Sequence, residues 1–256
     1  MIHLPARHNP KLRHLLELVD ADAELAQLWK CANVNTVDRS GISDHGEVHV
    51  RIVANATLKL LRLLAESDIE PSVVTDYGLT MEDAEVIVVL ASCLHDVGIA
   101  IHRDNHENLS LAVAYPKCRQ LLAPIYHEPT LTIMTADTLH AVLAHHGEAR
   151  CLTIEAGVVK VADALDMTEG RSRIPFEAGR VNIHSLSAQA IESVSIEKGE
   201  DRPVRIVVNM ANSAGIFQVD ELLKRKLQHS SLAPYVEIVA TISGETERRL
   251  IDRLER

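Results

Sequence analysis

The 256-residue chain has few aromatic rings: two phenylalanines, one tryptophan and four tyrosines, 3% of the sequence. With 46% hydrophobic residues it can still bury a sizeable core, which must therefore be aliphatic, built from Leu, Val, Ile and Ala. Cysteine is equally scarce. Cys31, Cys93, Cys118 and Cys151 form no CxxC pair and lie mostly within apolar helical patterns, which argues against a disulfide framework or a zinc knuckle and for a reducing compartment. No stretch approaches the roughly 20 apolar residues of a membrane span, and Met1 to His8 contain no apolar core of signal-peptide length. The expectation is a soluble, cytoplasmic protein with no membrane partner.

An excess of positive charge is also missing. Residues 177–256 hold 12 acidic and 11 basic side chains, so the first 176 residues carry nearly all of the net charge of −10. Histidine follows the same division, with 12 of 14 before residue 147. An acidic, histidine-rich segment is poorly suited to holding a long nucleic-acid backbone through counterion release and well suited to cations.

What the chain does have is helical periodicity punctuated by caps. Leu12, Leu15, Leu16, Leu18 and Val19, then Ala23, Leu25, Ala26 and Leu28, predict packing helices in the first forty residues. Capping boxes are predicted at Asp44 with Glu47, at Thr80 with Asp83 and at Asp104 with Glu107. The first opens a helix through Leu64, followed by a polar loop near Ser67 to Thr75, and the second a helix ending at His95-Asp96, with Gly98 placed to stop it. The third puts His106 in a first turn, and Pro116 is expected to break or kink that helix. Further helices are predicted from Ala136 to His146 and from Ile154 to Met167. Beyond Arg173-Ile174-Pro175 the pattern changes to a hairpin of Ile191–Ile196 with Val204–Met210, a helix Val219–Leu227, a strand Tyr235–Ile242 and a charged terminal helix Glu245–Leu254. The fold class read from this is a mainly α N-terminal domain, residues 1–175, followed by a small α+β domain, residues 176–256, for docking or oligomerisation. Its short strands leave an edge that needs pairing or cover, so the domain is expected to dock on the helical domain or on its twin in a homodimer.

The chemistry concentrates on His95-Asp96, a ligand-capable pair at the end of the apolar run Val86 to Leu94, where charge is expensive unless something binds it. His45 and His49 stand four apart upstream, on one helical face. Downstream lie His106, the pair His145-His146, and Asp163 three residues after Lys160. Imidazole and carboxylate together suit Mn, Fe, Co, Ni or Zn, and Asp96, with two oxygens, can bridge two ions. Lys160 and Asp163 share a helical face, offering one cation for a bound phosphate and one metal ligand.

The order His49, His95-Asp96, Asp163 resembles the HD superfamily of metal-dependent phosphohydrolases over roughly residues 41–175. That resemblance implies a helical HD-type domain with His49, His95, Asp96 and Asp163 as metal ligands. By similarity to members with an enlarged histidine set, His106, His145 and His146 would hold a second ion, with His45 as an additional candidate. Adjacent helical residues point about 100° apart, so both His145 and His146 ligate only if that helix end is suitably turned. Asp96 and Lys160 are assigned to the chemistry itself, and Lys160 with Arg171 or Arg173 to binding the substrate phosphate. The implied substrate is a small phosphate mono- or diester, a nucleotide for preference. Two features depart from the HD-GYP type, which has lysine where Ile99 stands and Gly-Tyr-Pro after the histidine pair. Cyclic dinucleotide specificity is therefore not supported. A diiron oxygenase and a nonenzymatic nucleotide sensor are the two rival readings of the same ligands.

Overall fold

Local signals set many of the helix ends. In the computed structural model, which describes residues 3–168 and 187–243, the side chains of Asn9 and Asp22 accept the amides of Leu12 and Leu25. They thereby start α1 (Pro10–Ala21) and α2 (Ala23–Asn33). A π-helical stretch, Val34–Arg39, follows. The predicted box at Thr80 and Asp83 is present and opens α5 (Met81–Leu94).

Two other predicted starts are corrected. α3 (Glu47–Ala65) begins after Gly46, while the Asp44 carboxylate takes the amides of Gly46 and His49 at 3.2 and 3.3 Å. His45 therefore precedes the helix instead of sharing its face. α6 (His106–Leu122) begins after Asn105, whose left-handed backbone, φ 59°, makes the turn without a side-chain cap, and it runs on through Pro116. The segment expected to be loop contains α4 (Ser72–Tyr77), whose first amides donate to the buried carboxylate of Glu155 at 3.2 and 2.9 Å. That partner lies 83 residues from Ser72, beyond the reach of local signals. α7 (Thr130–Ala144) starts well before Ala136, and α8 (Ile154–Ala164) ends short of Met167.

α5 is apolar on every side from Val86 to Ala91 and fully buried there, so it forms the axis against which α1, α3, α4, α7 and α8 pack. Its end is fixed from three directions. The Trp29 indole donates to the Cys93 carbonyl at 2.9 Å, the Asn35 amide to the Ile99 carbonyl at 2.7 Å, and the Ser110 hydroxyl to the His95 carbonyl at 2.7 Å. Gly98 is required in the 3-10 turn Val97–Ala100, since a Cβ there would lie 2.3 Å from the backbone of both His106 and Ser110.

The hairpin is formed by β1 (Ile191–Lys198) and β2 (Val204–Met210), with an irregularity between Ile191 and Ser193. Val194 and Ile196 thereby come onto the same face as Ile191, opposite Val208, Ile206 and Met210. A π-helix, Gln218–Lys224, continues into α9 (Arg225–Gln228) and carries the chain across to β3 (Val236–Ile242), which pairs parallel with β2. This three-stranded sheet rests on α3, and α9 rests on α8, so the buried faces of both parts belong to one aliphatic core. Cys93, Cys118 and Cys151 are buried free thiols, as the apolar patterns predict, and burial pushes them up to about 12, 12 and 11. Arg171, Arg173, the boundary near Pro175 and the helix Glu245–Leu254 fall outside the described residues.

Candidate metal centre

The end of α5 meets the first turn of α3, the end of α8, the start of α6 and the end of α7 at one buried cluster. Around the Oδ2 atom of Asp96 stand His95 Nε2 at 3.2 Å and His49 Nε2 at 3.5 Å. Asp163 Oδ1 lies 3.2 Å from His49 Nε2 and 3.9 Å from His95 Nε2. Around the other oxygen, Oδ1, stand His106 Nε2 at 3.2 Å and His145 Nε2 at 3.4 Å. Asp96 thus faces one donor group with each oxygen.

Hydrogen bonds on the outer side of each ring set its direction. His49 Nδ1 meets the Asp166 carboxylate at 2.6 Å, His95 Nδ1 the Ser92 carbonyl at 2.9 Å, and His145 Nδ1 the Val142 carbonyl at 2.6 Å. These acceptors assign the proton to Nδ1 and leave an Nε2 lone pair turned inward. His106 Nδ1 likewise meets the Arg103 carbonyl at 3.0 Å, with the Arg103 guanidinium at 2.9 Å from the same atom. Inward Nε2 atoms then approach each other to 3.1 Å in His49 and His95 and to 3.2 Å in His106 and His145. Paired lone pairs at that distance repel unless a cation lies between them, and neutral imidazoles with ionised carboxylates are the donors a divalent transition metal takes. The donor set therefore fits a divalent metal.

Without a cation between them, protons on the same rings take its place beside the carboxylates. Burial alone would raise Asp96, but the charge of His95 and hydrogen bonds from His106, His145 and His49 hold its carboxyl well below the usual range. Asp163 is likewise raised by burial and, on balance, held low by the charge of Lys226 and by His49. Burial and the neighbouring charge of His95 bring His145 down to about 4, so it is neutral and ligand-competent at physiological pH.

His146 diverges from His145, as adjacent positions in a helix require. It is 41% exposed, and its Nδ1 lies 3.6 Å from Glu107 Oε2, which is 3.5 Å from His106 Nδ1. Glu107 Oε2 is buried and without a hydrogen-bond partner, so His106, Glu107 and His146 form a further donor group at the rim. His45 is buried beside His49 but turns its Nδ1 to the Ser43 carbonyl at 2.7 Å, and it belongs to none of the donor groups among the described residues.

Lys160 is corrected outright. Its side chain is fully buried, and Nζ donates to the carbonyls of Ala144, Gly147 and Ala149 at 3.0, 2.9 and 2.8 Å, with that of His146 at 3.5 Å. With its three donors spent on the chain that ends α7, it holds His145 in place and has none left for a phosphate. The apolar neighbours Val158, Val159, Val161 and Ala162 indicate this burial in the sequence. Asp166, which aims His49, was missed, although its spacing of three from Asp163 repeats the spacing of Lys160 and Asp163. Lys226, from α9, was missed as well; its ammonium pairs with Asp163 Oδ2, and no local signal in the sequence connects the two.

A helical domain carries the His, His-Asp, Asp order in a cluster compatible with a metal site, and it is an HD domain: the HD-domain family model matches residues 47–168. HD domains bind divalent metals and are generally metal-dependent hydrolases. The chain is 43% identical over 216 residues to an uncharacterised protein, MJ1020, of Methanocaldococcus jannaschii, covering 84% of this chain and 83% of that one. It is 29% identical over 133 residues to ribonuclease Y of a Nitratiruptor species, covering 49% of this chain and 23% of that protein. Among the described residues no helix is long and apolar enough to cross a membrane.

Proposed function

We propose that the protein is a binuclear phosphohydrolase that cleaves a small phosphate mono- or diester, with a nucleotide as the substrate class. The observation that carries the reading is the division of donors across Asp96, with His95 and His49 on Oδ2 and His106 and His145 on Oδ1. Two divalent ions so held would supply Lewis-acid polarisation of a phosphoryl oxygen and a bound water of lowered pKa. The chain's own part is to keep both groups aimed. Asp166 fixes the ring of His49, Ser92 and Val142 carbonyls fix those of His95 and His145, and Lys160 fixes the turn after His145. Burial of these rings excludes bulk water from the donors, while the partly exposed Glu107 and His146 mark the side from which substrate enters.

The name of the ribonuclease Y relative supports phosphodiester chemistry, and the net charge of −10 favours a small substrate over a long nucleic acid. The setting we propose is the cytoplasm, and the assembly a homo-oligomer in which the outer strands β1 and β3 are the pairing edges. The test is elemental analysis of the purified protein followed by a panel of nucleotides and phosphodiesters in the metal found. Metal-dependent release of phosphate or nucleoside monophosphate is expected. Oxygen-dependent turnover, or tight nucleotide binding without turnover in any divalent metal, would replace this reading with an oxygenase or a sensor.

A further inference from the structure

Exposure around the centre is one-sided. His49, His95 and His145 are sealed, whereas Asp163, Glu107 and His146 lead outward, and Lys226 lies on that path with its side chain 17% exposed. The two oxygens of Asp163 are divided: Oδ1 faces His49 and His95, and Oδ2 pairs with the Lys226 ammonium. One carboxylate therefore joins the donor cluster to a cation that stands outside the HD match of residues 47–168.

Lys226 is held there by several independent contacts between the α9 region and the helical part. The Arg225 guanidinium pairs with Glu148 at 2.5 Å, just after His145-His146. The Cys151 amide donates to the His229 carbonyl at 3.2 Å, and the Ser231 hydroxyl to the Thr153 carbonyl at 2.7 Å. A Cβ on Gly157 would meet Ser231 Oγ at 2.2 Å, so α8 carries glycine where this segment comes closest. Leu223 and Leu227, on the buried side, anchor the same turn.

Of the other cations near the centre, Lys160 gives its donors to backbone carbonyls, and Arg103 turns Nη1 to His106 while its Nε is buried, away from the open side. A substrate phosphate brings negative charge to a site already lined by Asp96, Asp163, Asp166 and Glu107, so it needs a cation with donors to spare at the open side. Lys226 has three N–H donors and, among the described residues, Asp163 as its ion-pair partner.

We propose that Lys226 is the phosphate anchor of the centre, so that the C-terminal part completes a substrate site whose metal donors come from the HD domain. Asp163 orients it through Oδ2, and its remaining donors bind a non-bridging phosphate oxygen. This assignment rests on the phosphohydrolase reading above.

The test uses the full metal-loaded chain and three proteins: wild type, Lys226→Gln and Lys226→Arg. Metal per chain is measured by elemental analysis, melting temperature by circular dichroism, and inorganic phosphate affinity by calorimetry. The anchor role predicts unchanged metal content and melting temperature in Lys226→Gln, a phosphate Kd raised about 10- to 100-fold, the usual worth of one charge-assisted hydrogen bond, and recovery to within a few-fold in Lys226→Arg. Wild-type phosphate affinity in Lys226→Gln would overturn the anchor and leave the hydrolase reading standing. Loss of metal in Lys226→Gln, restored in Lys226→Arg, would also overturn it, since the lysine would then act on Asp163 alone. Absence of phosphate binding by the metal-loaded wild type would overturn the hydrolase reading and the anchor together.

Discussion

Replacing Lys160 by methionine keeps the length and much of the volume of the buried stem while deleting the ammonium. Three carbonyls then lose their partner: that of Ala144 in a buried setting, and those of Gly147 and Ala149 where water can partly substitute. An unsatisfied buried carbonyl costs about 1–3 kcal/mol, and the two nearer the surface recover part of that, which sets the expected loss at about 2–4 kcal/mol. For a chain of this size about 1 kcal/mol moves the melting temperature by roughly 2–4 °C, so a fall of about 5–15 °C is expected by circular dichroism. Because these carbonyls bracket His145, the variant should also bind its second metal ion more weakly. Its KM for a phosphoester should change little once metal is saturating. A Lys160→Met protein with wild-type melting temperature and metal content but a strongly raised KM would refute the structural role and restore Lys160 as a substrate cation.

Other consequences are equally specific. Asp166→Ala removes the acceptor that aims His49 and should weaken metal affinity by about 10- to 100-fold in a chelator competition without unfolding the chain; unchanged affinity would contradict the role given to the 2.6 Å contact. Asp137 is buried with its Oδ2 unpartnered, and burial, with the charges of Glu155 and Asp76, pushes its carboxyl up to about 6. Its folded value lies above the ordinary 3.8, so the ionised group destabilises the fold above pH 6, and the penalty disappears as pH falls toward 4. Asp137→Asn should therefore gain about 1 kcal/mol at pH 8 and nothing near pH 4, measured by thermal melts at both pH values; equal effects at the two would sink the assignment.

The sequence carried the parts of this architecture that depend on short-range signals. The Thr80–Asp83 box, the apolar axis of α5 and the alternating strands β1 and β2 are written in neighbouring residues, and each appears where expected. His49, His95, Asp96, His106, His145 and Asp163 converge because the resemblance already joined residues on five separate helices. Misreadings arose where a distant partner decides the outcome. α4 forms on the carboxylate of Glu155, and Lys160 is drawn to carbonyls 11 to 16 residues away. Shared helical face alone cannot tell a lysine aimed at a ligand from one turned to the end of the preceding helix. Lys226 became legible only once the crossover between β2 and β3 had been laid against α8.

The central claim is that Asp96 divides two metal positions, and metal stoichiometry tests it most directly. Wild-type protein, Asp96→Ala and His106→Ala, each loaded and freed of excess ion, should be compared by elemental analysis alongside circular dichroism. The account predicts about two ions per chain in the wild type, about one in His106→Ala and almost none in Asp96→Ala, all with the helical signal retained. Wild-type stoichiometry in His106→Ala, or full occupancy in Asp96→Ala, would contradict it.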